Sequence, residues 1–437
     1  MTILGFVTLV SILSCGMFAI YTNRDLFSPA KFFLGYLTLF HFQLVLIPSP
    51  LEQYLTFFCF LAIALIFIAY EKFIFKSIIR KENIFIETER LARVFVLLIW
   101  LISLVPIVLQ IFFILNSGGI IQYINDSIYR ATLWRGKGYL LILIQWIQVL
   151  NIIYFCIGLY FSGRSKIWWS IFGLHFSISL SFGVLTASRT VMLLNFLIML
   201  ICYHYIKKPI SFKFFTSAAI SILLLASLIG LARNNFKIED GVLTTGFTAA
   251  RPDSTKVSAL TSTFKYGLIP LDYIYEKPPP KLQYGSSLLT LVTNVIPRDI
   301  WGSKLDTSSM AMNKIYIEDK GPGPYEYPAG ILGLGVMNFG WVIGLLFGYL
   351  LTIIFLMYAE VLYKKKLLKF HSNTSFSFML KVIMSIYFIQ TVPALVPGEF
   401  TNVLHTLILT KVIPIFIFLI FYKLLSKKYK RMNLEKI

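Results

Sequence analysis

The sequence predicts an all-α, polytopic integral membrane protein with about eleven transmembrane helices. Three observations carry that expectation. Of 437 residues, 57% are hydrophobic and only 14% are charged, whereas a soluble domain carries roughly 25% charged residues. Mean hydropathy is +0.76, and aromatic residues, dominated by 40 Phe, make up 16% of the chain. The apolar runs last about 16–22 residues without alternation, close to the roughly 20 residues of helix that cross a hydrocarbon core. Backbone in lipid must satisfy its own hydrogen bonds, which leaves helices or a closed barrel, and runs without a period of two select helices.

The spans fall at 2–21, 33–47, 55–70, 95–115, 139–162, 167–186, 191–206, 215–231, 329–358, 376–396 and 402–422. The chain is thereby organised as membrane helices in 1–231 with an outer loop at 116–138, a long outer loop at 232–328, and further membrane helices with a basic tail in 329–437. No basic segment precedes the first apolar run, so that run is expected to stay as a span rather than be cleaved as a signal peptide. In the long loop, Pro278, Pro279 and Pro280 form a stiff extended stretch. The apolar run 286–296 that follows is too short to cross and is expected to lie in the interface or re-enter, until Pro297 ends it. In the ninth span, Gly340, Gly344 and Gly348 recur every fourth residue, a spacing that lets helices pack closely.

Lysine and arginine set the expected orientation. Alternate connections carry Arg24 and Lys31; Lys72, Lys76, Arg80, Lys81, Arg90 and Arg93; Arg164 and Lys166; Lys207, Lys208 and Lys213; Lys364, Lys365, Lys366 and Lys369; then the tail from Lys423 to Lys436. An excess of Lys and Arg marks cytoplasmic connections. The N-terminus is therefore expected outside and the C-terminus inside, and the net charge of +20 reads as topology and contact with anionic lipid rather than as a nucleic-acid surface. Cys15, Cys59, Cys156 and Cys202 all fall within predicted spans, so no structural disulfide is expected. Five scattered histidines form no metal-ligand spacing. No cofactor is called for by any motif, and a divalent metal is left open.

The polar candidates gather in the outer loops. "NVIPRDIWGSKLD", 294–306, places Arg298 after Ile-Pro and Lys304 after Trp301-Gly-Ser. An arginine fork suits bidentate phosphate contacts, and a lysine supplies a point charge. Arg189 sits in "ASRT", 187–190, between two spans on the outer side, where a positive charge runs against the inside rule. "NDSIYRATLWRGKG" adds Arg130 and Arg135 around Trp134. Glu399, Asn402 and His405 recur every third residue near the start of the last span, so they share a helical stripe. Glu399, His405 and, before the ninth span, Glu326 are the candidates to accept a hydroxyl proton. Lys411 lies deeper in the last span, with no partner evident from the sequence.

Three features together resemble the O-antigen (Wzy-type) polymerase family, bacterial enzymes that join oligosaccharide repeat units. They are "SRT" between two spans, a long outer loop carrying "IPRDIWGSK", and "YEYPAGILGLGVMNFG" at the start of the next span. The resemblance covers roughly 180–345. It implies a glycosyltransferase similar to the multi-spanning (GT-C-like) enzymes that use a lipid-linked sugar donor. Its partners would be a donor and an acceptor oligosaccharide on polyprenyl (undecaprenyl) pyrophosphate, with a chain-length regulator as a further partner. The expected location is the outer face of the bacterial cytoplasmic membrane, and the product O-antigen of lipopolysaccharide, capsule or exopolysaccharide. Alternatives are a ligase that moves finished glycan to another acceptor, and a transporter or flippase of lipid-linked glycan. The polar groups gather on one side rather than at the midplane, which speaks against transport.

Overall fold

The computed structural model describes residues 2–22, 25–74, 89–128, 137–160, 166–185, 189–221, 236–239, 242–245, 274–275, 279–293, 296, 301, 305–316, 328–370 and 375–434. Among them, seven helices are long and apolar enough to cross a membrane, and the protein is a multi-pass membrane protein of the all-α class. Among the described residues, helix occurs at every predicted span; of the eighth, residues 215–221 are described, within a helix over 212–221. A two-stranded ribbon, β1 (Phe236–Glu239) and β2 (Val242–Thr245), follows in the long loop.

The chain forms two compact units interleaved in sequence, one made of Met1–Ser77, Thr245–Lys365 and Phe388–His405, the other of Ile78–Thr244, Lys366–Tyr387 and Thr406–Ile437. In the first unit, α1 (Ile3–Thr22), α2 (Pro29–His41) with the short α3 (Gln43–Leu46), and α4 (Leu51–Ile74) pack as neighbours. One end of this group is closed by buried carboxylates. Glu71 accepts from the Ser28 hydroxyl at 2.5 Å and from the Ala30 amide at 3.0 Å. It thus occupies the N-terminus of α2, where four amides lack helical partners and a negative charge is favoured. Asp25 accepts from the Phe27 amide at 3.0 Å and from the Tyr363 hydroxyl at 2.7 Å, while Lys31 donates to the Asp25 carbonyl at 2.8 Å. At the other end the Tyr54 hydroxyl donates to the Leu44 carbonyl, and Tyr275 stacks on Trp341.

The predicted single span 329–358 is instead two helices. In the hierarchy of this chain they follow α5 (Glu89–Asn116), α6 (Ile120–Ile128), α7 (Gly138–Tyr160), α8 (Lys166–Leu185), α9 (Arg189–Ile206), α10 (212–221), α11 (Ser286–Thr293) and α12 (Ser308–Tyr316). The first of the pair is α13 (Gly330–Phe339) and the second α14 (Trp341–Leu362). Gly340 separates them with φ 77°, a backbone conformation that only glycine adopts freely. The two helices then fold back on one another. A Cβ at Gly335 would overlap the Gly344 carbonyl, and one at Gly348 would meet Leu332 Cδ2 at 2.8 Å and the Ile331 carbonyl at 2.9 Å. Partners that run in opposite directions along the chain make this an antiparallel hairpin. The glycine repeat does serve close packing, at Gly344 and Gly348, while Gly340 is the bend. At ten residues α13 spans about 15 Å, half a hydrocarbon core.

In the second unit, α5, α7, α8 and α9 pack together around buried polar pairs. His175 sits between the Ser103 hydroxyl at 2.9 Å and the Asn151 carboxamide oxygen at 3.2 Å. After α15 (Phe376–Ala394), the last span begins as α16 (Phe400–Thr406), widens into a π-helical turn at Leu407–Val412, and continues as α17 (Ile413–Leu434). Lys411 on that turn has partners the sequence did not reveal: the Gln148 carboxamide oxygen at 3.4 Å and the Tyr387 ring at 5.5 Å.

Candidate functional site

The segment around α11 and α12 is fixed by a buried polar network within the first unit. It starts from the early end of α13. A helix that stops at Gly340 leaves its last carbonyls without helical donors, and the loop supplies them: the Gln283 amide donates to Met337 at 2.9 Å and the Tyr284 amide to Asn338 at 3.1 Å. Holding this approach requires Tyr284 at φ 46° and Gly285 at φ 85°; for tyrosine that left-handed state costs roughly 1–2 kcal/mol.

Asn338 is fully buried, yet its polar atoms are partnered. Its carboxamide oxygen accepts from the Gly285 amide at 2.8 Å. Its nitrogen donates to the Leu334 carbonyl and the Ser287 hydroxyl, both at 2.7 Å, with Ser308 Oγ at 3.4 Å. Ser308 in turn donates to Ser287 at 2.8 Å. One asparagine therefore ties α13 to the N-termini of both α11 and α12.

Glu399 performs the second fixation. It is 6% exposed. Its Oε2 accepts the Ser309 amide at 3.1 Å and, through a very short bond, the Ser309 hydroxyl; its Oε1 accepts the Thr401 hydroxyl at 3.1 Å. Ser309 Oγ also accepts the Ala329 amide at 2.8 Å, and Thr290 Oγ1 lies 3.1 Å from Thr401 Oγ1. A carboxylate at the first turn of α12 complements that helix's dipole. Burial raises the Glu399 carboxyl above its ordinary range, while the donors from Ser309 and Thr401 pull it back.

The consequence is a helix with reversed polarity. On α11, Ser287 and Thr290 point into the network, whereas Leu289 and Val292 are 59% and 72% exposed. Ile296, Trp301 and Leu305 continue the exposed apolar side. Polar groups thus face the network and apolar groups face away from it along α11.

The expected site residues stand as follows. Glu399 is in the network. His405 is half-buried on α16, whereas Asn402 is exposed, so the stripe of three does not present one uniformly buried face. Arg189 is the first residue of α9, its side chain outside the described residues. Arg298, Lys304, Glu326, Arg130 and Arg135 lie outside the described residues; Ile296, Trp301 and Leu305 bracket the two cations of the "IPRDIWGSK" string. Sequence reasoning missed Ser287, Ser308, Ser309 and Asn338. The available signal was Asn338, a lone carboxamide in the apolar run "GILGLGVMNF". No group of three or more His, Cys, Asp or Glu suited to a metal ion occurs among the described residues.

Fold and site together define a multi-pass membrane protein in which α11 and α12 are hydrogen-bonded to Asn338 and Glu399 further along the chain. Comparison with family models, with curated proteins and with solved structures finds no match to this chain.

Proposed function

We infer that the chain is a glycosyltransferase that polymerises oligosaccharide repeat units carried on polyprenyl pyrophosphate, at the outer face of the bacterial cytoplasmic membrane. In this reading the chain crosses about eleven times, its lysine-rich connections lie in the cytoplasm and its fold is GT-C-like. The observation that carries it is the braced segment around α11 and α12. The network of Asn338 and Glu399 fixes α11 and α12, the helices that precede and follow the Pro297–Lys304 string in the sequence, and this supports giving its cations to the site.

Glycosyl transfer from a lipid pyrophosphate needs cations where negative charge develops on the leaving group. Arg298 and Lys304 take that role, with Arg189, Arg130 and Arg135 as further outer cations. It also needs a base for the acceptor hydroxyl. Both Glu399 oxygens are committed to Ser309 and Thr401, so Glu399 is a positioning residue here, and the base is drawn from Glu326 and His405.

The test is incubation of the purified protein with a lipid-linked repeat unit. A ladder of products supports polymerisation. Transfer only to an added glycan acceptor means a ligase instead, and no covalent change favours transport; either result overturns the proposal.

A further inference from the structure

Away from the network, the second unit contains a cleft of about 870 Å³ between α7, α9 and α10. Its walls are apolar: Phe155 from α7, Phe196 and Leu200 from α9, Phe214 and Ala218 from α10. Its end is polar, where Lys208 and Ser211 line it. That volume falls within the roughly 300–1,000 Å³ of small-ligand pockets.

The cleft is built by a fixed turn. After α9, the amides of Lys207 and Lys208 both return to the Tyr203 carbonyl. The Ile210 amide donates to Nδ1 of the buried His204 at 3.0 Å, and Pro209 forbids continuation of the helix. This turn redirects the chain so that α10 stands off α9 rather than packing on it; Phe214 remains 56% exposed although it lines the cleft. Charge adds the second half of the argument. Lys208 lines the polar end, Lys207 precedes it on the same turn, and the sequence 206–221 contains no Asp or Glu.

We propose that this cleft is a binding site for one anionic phospholipid, an acyl chain lying between α7, α9 and α10 and the phosphate resting against the turn that carries Lys207 and Lys208. Aromatic and aliphatic walls of this kind take up hydrocarbon in preference to water. Two lysines on a turn whose own sequence carries no carboxylate select a headgroup with net negative charge over a zwitterionic one. The inference is independent of the glycosyltransferase reading.

The experiment is native mass spectrometry of the delipidated full chain titrated with phosphatidylglycerol or phosphatidylcholine. One phosphatidylglycerol should be retained about ten-fold more tightly than phosphatidylcholine. Lys207→Gln with Lys208→Gln should equalise the two lipids, and Ala218→Trp, which fills the cleft, should remove the tight site. Excess inorganic phosphate should leave phosphatidylglycerol bound. Equal retention of both lipids by the unaltered chain overturns the proposal, as does displacement by phosphate. Should Ala218→Trp fail to fold, the surface lysine pair decides alone, because unchanged preference in that variant also overturns it.

Discussion

Asn338 shows what a single buried carboxamide does in this chain. Replacing it with alanine strands the Gly285 amide and removes the donor to Ser287. A buried polar group left unsatisfied costs about 1–3 kcal/mol, so Asn338→Ala should lower the thermal midpoint in detergent and free the loop to proteolysis around 279–293. Glu399 adds a pH dependence. Its carboxyl in the folded chain lies above the ordinary 4.5 because of burial, so its contribution to stability is complete below that value and lost as pH rises through the folded pKa. The unaltered protein should therefore melt at higher temperature as pH falls from neutral toward 5, and Glu399→Gln should flatten that component of the curve. At Arg298 the readout is chemical. Loss of one such cation typically costs about 10²–10³ in rate; Arg298→Ala should abolish polymer formation with normal membrane insertion, while Arg298→Lys restores only part because the fork is gone. Full-length polysaccharide from Arg298→Ala would end the pyrophosphate assignment.

Among elements, the hairpin of α13 and α14 and the π-helical turn at Leu407–Val412 were the least legible in the sequence. Length and apolarity located helix at each predicted span, since those properties decide whether a segment can enter lipid. They could not resolve the hairpin, because both helices are apolar and only the backbone of Gly340 divides them. The network was hidden for a related reason. Its serines, threonines and asparagine are small, neutral and scattered from Gln283 to Thr401, and their convergence is a tertiary event. The π turn has a local cause that becomes visible once the structure is in view. The Ile413 amide bonds the Ile408 carbonyl, five residues back, and the next pair would join Leu409 to Pro414, which has no amide hydrogen. The Trp146 indole donates to the Leu409 carbonyl at 2.9 Å instead. For the hairpin, Gly344→Val must push apart backbones already in contact. Overpacking of this kind costs about 1–3 kcal/mol or more, which circular dichroism melts of the detergent-solubilised variant would register, whereas Gly16→Ala, with open space around it, should be neutral.

For the molecule as a whole, the hydrogen bonds of the first unit sort its connections into two groups. Asp25, Ser28, Glu71 and Tyr363 meet one another, and Gln283, Ser309, Asn338 and Glu399 share the network. Which group faces the cytoplasm is decided by labelling: in a background without native cysteines, Ser254→Cys should react with an impermeant thiol reagent in intact cells. Labelling only after permeabilisation would invert the orientation.

The reversed polarity of α11 bears on how the long loop can be handled in the laboratory. A segment 232–328 excised as an ectodomain would lose Asn338, Glu399 and Thr401, the acceptors and donors that satisfy its hydroxyls and amides. It would also carry Leu289, Val292, Ile296 and Trp301 into water. Such a fragment should self-associate during refolding, and sugar or antibody binding measured on it would describe a different object from the loop in place.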